Sequence, residues 1–141
     1  MGHNVEELSA IVLDTSLRIH RALGPGLLES AYEIILAASF EKQGLRVDRQ
    51  MPISIAFEDI QVSAAFRADM IIEERLLLEI KSVEALTAVH AKQVITYLRL
   101  MDLPLGLLIN FGGATLKEGV RRLVNNHTHF ASSRLRANQI S

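Results

Sequence analysis

Two apolar, strand-like runs of this chain carry charges where a core strand should carry none. They are Ala68-Asp69-Met70-Ile71-Ile72 and Leu76-Leu77-Leu78-Glu79-Ile80-Lys81, separated by Glu73-Glu74-Arg75. A carboxylate or ammonium buried alone is strongly disfavoured unless it neutralises. Asp69, Glu79 and Lys81 therefore need one another or a metal ion. Glu79 and Lys81 are two apart, so on a strand they share a face. Setting Asp69 opposite Glu79 leaves Glu73, Glu74 and Arg75 as a three-residue hairpin loop, a common length. A two-residue loop would put the two carboxylates on opposite faces. The register is thus a sharp expectation.

The 141 residues suit one domain with one core. A 49% hydrophobic and 22% charged composition predicts a folded chain rather than a disordered one. The chain has no Cys, which excludes a disulfide scaffold, a thiolate zinc site and a Cys nucleophile. It also fits a reducing compartment, and the expectation is cytoplasmic. Few aromatics and no Trp argue against an RNA-binding sheet with stacked rings. A net charge of −1 argues against nonspecific coating of nucleic acid. Positive charge gathers from Lys117 onward, where Lys117, Arg121, Arg122, Arg134 and Arg136 face one acid, Glu118. No run approaches a membrane span, and the start of the chain lacks the apolar stretch of a signal peptide.

Periodicity predicts a helix over 5–23, with Leu8, Val12, Ile19 and Leu23 on one stripe and an Asn4/Glu7 capping box. Gly24-Pro25-Gly26 breaks it, and a second helix is expected over 28–43, ended by Gly44. Strand character begins at Leu45. Pro52 assigns that strand to an edge or bend, and Ile53, Ile55 and Phe57 alternate with Ser54, Ala56 and Glu58. After a turn near Glu58-Asp59, strands are expected over 62–72 and 76–81. A helix over 87–101, a buried strand over 103–111 and a short last helix over 116–125 follow. The order α-α-β-β-β-α-β-α is that of a mixed α/β (α+β) domain over 1–126, with a polar tail over 127–141. The helical crossover allows the fourth strand to pair in parallel.

With that register, Asp69 and Glu79 converge, and the Ile80 carbonyl could add a third oxygen. Hard oxygen donors without sulfur favour Mg²⁺ or Mn²⁺. Lys81 could then orient a water or offset charge on a phosphate. By spacing alone, a structural Asp69–Lys81 or Glu79–Lys81 ion pair is the favoured explanation of the pattern. Gln93 and Tyr97 are four apart on the following helix and share a face, with His90 near it. They could hold phosphate or bases beside a metal, or simply pack. His90 is the sort of residue that more often caps than ligates. Glu29, at the start of the second helix, could favour the helix dipole or reach the metal.

Gly26-Leu27-Leu28-Glu29-Ser30-Ala31-Tyr32 reads as a GxxExxY signature. With Arg67-Ala68-Asp69, Glu79-Ile80-Lys81, His90-x-x-Gln93-x-x-x-Tyr97-Leu98 and Gly106-Leu107-Leu108-Ile109-Asn110-Phe111, the chain resembles the GxxExxY proteins, a branch of the PD-(D/E)XK nuclease-like superfamily. The resemblance covers about 5–125. It implies a restriction-endonuclease-like α-β-β-β-α-β core with a central mixed four-stranded sheet flanked by helices. It implies Asp69 and Glu79 as metal-binding acids, Glu29 as a helix-borne acid and Lys81 as the catalytic lysine. Gln93 and Tyr97 match the family's QxxxY element. The implied activity is Mg²⁺-dependent hydrolysis of DNA or RNA, with Arg67, Lys92, Arg99, Arg121 and Arg122 as candidate phosphate contacts. The alternative is a nucleic-acid-binding or assembly module that keeps the nuclease fold and needs a protein partner; a hydrolase of a small phosphorylated substrate is a third reading. Oligomeric state is not legible.

Overall fold

The computed structural model describes residues 2–126 of the 141. The tail expected over 127–141 lies outside the described residues. The first helix, α1 (Val5–Leu23), begins with the expected capping box: Asn4 accepts from the Glu7 amide and Glu7 accepts from the Asn4 amide. Leu8, Val12, Thr15 and Ile19 form its buried stripe. α2 (Glu29–Lys42) follows the Gly24-Pro25-Gly26 break and buries Tyr32, Leu36 and Phe40.

Five strands form one mixed sheet in the order β1-β2-β3-β4-β5. β1 (Val47–Phe57) is an edge strand, as Pro52 requires. β2 (Ile60–Ile72) pairs with it antiparallel. β3 (Leu76–Lys81) returns antiparallel to β2 with Met70 opposite Leu78 and Ile72 opposite Leu76, which is the expected register. α3 (Ala88–Met101) carries the chain over to β4 (Leu105–Asn110), which pairs parallel to β3.

The sheet is covered on both faces. Met70, Ile72, Leu76, Leu78 and Ile80 join the α1/α2 cluster with Leu8, Leu36 and Phe40. Ile71, Leu77 and Leu108 pack with Val94 and Leu98 of α3. Burial on both faces explains why β3 and β4 read as continuous apolar runs. Gly106 lets α3 lie close to the sheet, because a Cβ there would stand 2.9 Å from Val94.

One element differs from expectation. The segment over 116–125 is not a helix: a single 3-10 turn, Lys117–Gly119, leads into β5 (Val120–Val124), antiparallel to β4. The sheet therefore has five strands rather than four. Leu116, Val120 and Leu123 follow helical spacing, but the open edge of β4 offers backbone partners that an isolated short helix lacks.

Candidate active site

The β2–β3 ladder stops at Met70 and Leu78, one pair short of Asp69 and Glu79. Beyond it the side chains take over the backbone's work. Glu79 accepts from the Asp69 amide at 2.9 Å, and Asp69 Oδ2 accepts from the Ile80 amide at 2.9 Å. Two carboxylates are thus latched reciprocally across a fork in the sheet. Glu79 is almost fully buried. Burial, then the neighbouring Asp69 charge, push its carboxyl up to about 8, while Lys81 pulls it down. Asp69 is raised too, mainly by burial and against the bond from the Ile80 amide; Lys81 again opposes the rise. Lys81 therefore sits within electrostatic reach of both acids.

Tyr97 is raised by burial and by the charges of Glu79 and Asp69, which places it in the field of the pair. Its ring stacks on Phe66 with centroids 3.9 Å apart. Gln93, one turn earlier on α3, is exposed. His90 takes a structural role: its Nδ1 accepts from the Thr87 amide and caps α3.

Asp69 and Ile80 also line an open cleft of about 1040 Å³ with Glu29, Glu33, Arg49, Gln50, Ser82 and Glu84. Glu29 accepts from the Ser82 amide at 3.2 Å and so ties the start of α2 to the end of β3. The Tyr32 hydroxyl donates to the Gly24 carbonyl at 2.5 Å and accepts from the Leu27 amide, and its ring stacks on Phe111. Gly26 has φ +104, which favours glycine. In physical terms, the Gly26–Glu29–Tyr32 spacing is a loop clamp that delivers Glu29 to the cleft. Tyr32→Phe should cost about 1–2 kcal/mol from the lost hydroxyl bonds, read as a lower chemical-denaturation midpoint with an unchanged slope.

Two polar residues near the cleft gain a role only in the structure: Glu33, and Asn110, which the sequence shows only as part of the Gly106–Phe111 motif. Glu33 is nearly buried and accepts two bonds from Arg49 (2.9 and 3.1 Å) and one from Gln50 (2.6 Å). It lies one turn after Glu29 on the same helix face, a spacing that could have drawn attention to it. Buried Asn110 ends β4 by accepting from the Val83 and Gly112 amides and donating to the Val83 carbonyl. An uncharged polar residue closing an apolar strand was the available signal. Of the basic candidates, Arg122 pairs with Glu6 and Arg121 donates to the Glu118 and Val120 carbonyls, whereas Arg67, Lys92 and Arg99 are exposed.

Among the described residues, no three or more His, Cys, Asp or Glu side chains form a ready-made metal cage. The donor chemistry still suits a hard cation. Two close carboxylates, both with raised proton affinity, Glu79 in part through the Asp69 charge and Asp69 in part through the Glu33 charge, are stabilised by any added positive charge. Mg²⁺ in particular is held by one or two carboxylates and keeps several waters. Among the described residues, no helix is long and apolar enough to cross a membrane.

A family model described as the PD-(D/E)XK nuclease superfamily matches residues 6–123. No curated protein and no solved structure matches the chain.

Proposed function

The chain belongs to the PD-(D/E)XK nuclease superfamily, and on that premise we propose that it is a Mg²⁺- or Mn²⁺-dependent nuclease acting on DNA or RNA. The observation that carries the reading is the latched pair of Asp69 and Glu79 with Lys81 in its field. Asp69 and Glu79, with the Ile80 carbonyl and Glu29 from the cleft wall, would hold the cation. When bound, it would polarise the scissile phosphate and lower the pKa of a coordinated water. Lys81 would orient the attacking water and offset charge on the phosphate oxygens. Tyr97 would hold the substrate in place, with Gln93 one turn away. Arg67, Lys92 and Arg99 would add phosphate contacts. The finer placement in the GxxExxY branch rests on the Gly26–Glu29–Tyr32 clamp, and a cytoplasmic setting agrees with the absence of Cys.

The test is cleavage of labelled single- and double-stranded DNA and RNA with Mg²⁺ or Mn²⁺, comparing wild type with Lys81→Ala and Asp69→Asn. The expected result is metal-dependent cutting that falls at least about 100-fold in each variant, with folding retained. Equal cutting by all three proteins would reveal a contaminant. No cutting by wild type would leave the partner-dependent module as the better reading.

A further inference from the structure

The sheet is irregular on the other side of Asp69 as well. Arg49 pairs with Met70 and Met51 with Ala68, but Gln50, which should oppose Asp69, is skipped. Gln50 has φ +49, a left-handed conformation that non-glycine residues seldom adopt. Strand alternation would send Arg49 and Gln50 to opposite faces. Instead both reach the same carboxylate, Glu33. From that anchor the Gln50 amide also faces Asp69 Oδ1, at 3.4 Å. The other oxygen, Oδ2, is bonded to the Ile80 amide. Each oxygen of Asp69 thus has its own donor, one from β3 and one from β1. Non-glycine backbone strain of this kind persists only where the surroundings enforce it, and it clusters at functional sites.

We infer that Gln50 is a positioning residue: anchored by Glu33 and Arg49, its side-chain amide fixes the orientation of the Asp69 carboxylate toward the cleft. The inference rests on the proposed metal site for its functional meaning, but not for its geometry. Gln50 acts through Asp69. Partners that orient a metal-binding side chain commonly change metal affinity about 10–100-fold when removed.

The substitution that separates positioning from structure is Gln50→Gly. Glycine relieves the left-handed backbone while deleting the amide and its 2.6 Å bond to the nearly buried Glu33, so the melting temperature of the metal-free protein should fall less than in Gln50→Ala. Two readouts are taken on the full chain. The first is hydrogen exchange of backbone amides without metal: Ile80, the donor to Asp69, should lose protection in Gln50→Gly, while distant core amides such as Leu107 keep theirs. The second is Mn²⁺ affinity from the electron paramagnetic resonance of free Mn²⁺, which should weaken about tenfold. Gln50→Ala, which keeps the backbone strain, should show both effects with a lower melting temperature. Undiminished Ile80 protection in Gln50→Gly overturns the inference, whatever Mn²⁺ does. If wild type fails to bind Mn²⁺, the metal reading of the site fails, and Ile80 exchange still decides whether Gln50 positions Asp69.

Discussion

Metal-free protein should lose stability as pH rises from about 5 to about 8.5, and Glu79→Gln should remove most of that loss. An exposed Glu titrates near 4.5, whereas folded Glu79 titrates at about 8. Below the lower value both states are protonated, and stability from this group is fully present. Between the two values the unfolded chain ionises while the folded one resists, so unfolding releases a proton and stability falls with pH. Above the higher value the loss is complete. A shift of this size corresponds to up to about 5 kcal/mol, and Asp69 is displaced in the same direction. Gln keeps an acceptor for the Asp69 amide but cannot ionise, so the variant should be the more stable protein at pH 8.5. If the proposed site holds a cation, Mg²⁺ or Mn²⁺ should raise the wild-type melting temperature more at pH 8.5 than at pH 5.5, because the ionised pair is the form that would hold it. Thermal melts in chelator and in metal across this range are the measurement. A wild-type curve that is flat or rises with pH would contradict the assignment of Glu79.

Gly112→Ala should be among the most damaging single changes in the chain. A Cβ there would overlap the Val83 backbone, carbonyl oxygen first, and no flexible side-chain end is available to yield. Val83 is fixed in turn by Asn110, through one amide and one carbonyl bond at 2.9 Å each. The clash would push apart the segments leaving β3 and β4, immediately beyond Lys81 and Ser82. Forced overpacking of this kind costs about 1–3 kcal/mol and sometimes more, and loosening the Asn110 bonds adds about 1 kcal/mol or more. A loss of about 3 kcal/mol or more in urea denaturation is expected. Gly113→Ala is the control, because its Cβ would meet only the Thr115 carbonyl at an ordinary 3.4 Å. Equal effects of the two substitutions would contradict the account.

The parts of this molecule legible in its sequence were those with a single physical solution. Charges inside apolar runs demanded one another, and with three polar residues between the strands only one register satisfied them; Met70 opposite Leu78 is that register. Pro52 on an edge strand and the Asn4/Glu7 cap followed from hydrogen-bond accounting. β5 was hidden because Leu116, Val120 and Leu123 fit a helical stripe, and only the open edge of β4 decides between the two structures. Glu33, Arg49 and Gln50 were hidden for a different reason. Their meeting depends on a left-handed φ at a glutamine, which no local rule places there. Arg49 and Gln50 were therefore assigned to an ordinary strand, although they stand beside the candidate site.

The fork between β2 and β3 also decides which substitutions at its two acids leave the sheet intact. The Asp69 and Ile80 amides have exchanged backbone acceptors for the carboxylates of Glu79 and Asp69. An alanine at either acidic position therefore removes a sheet bond along with a charge, and leaves a part-buried amide stranded. The substitutions Asp69→Asn and Glu79→Gln would keep an oxygen in place and discard the charge alone. A bearer of this fold that had abandoned chemistry altogether would still be obliged to retain an acceptor at both positions, so the mere presence of polar residues there says less about activity than their ionisation does.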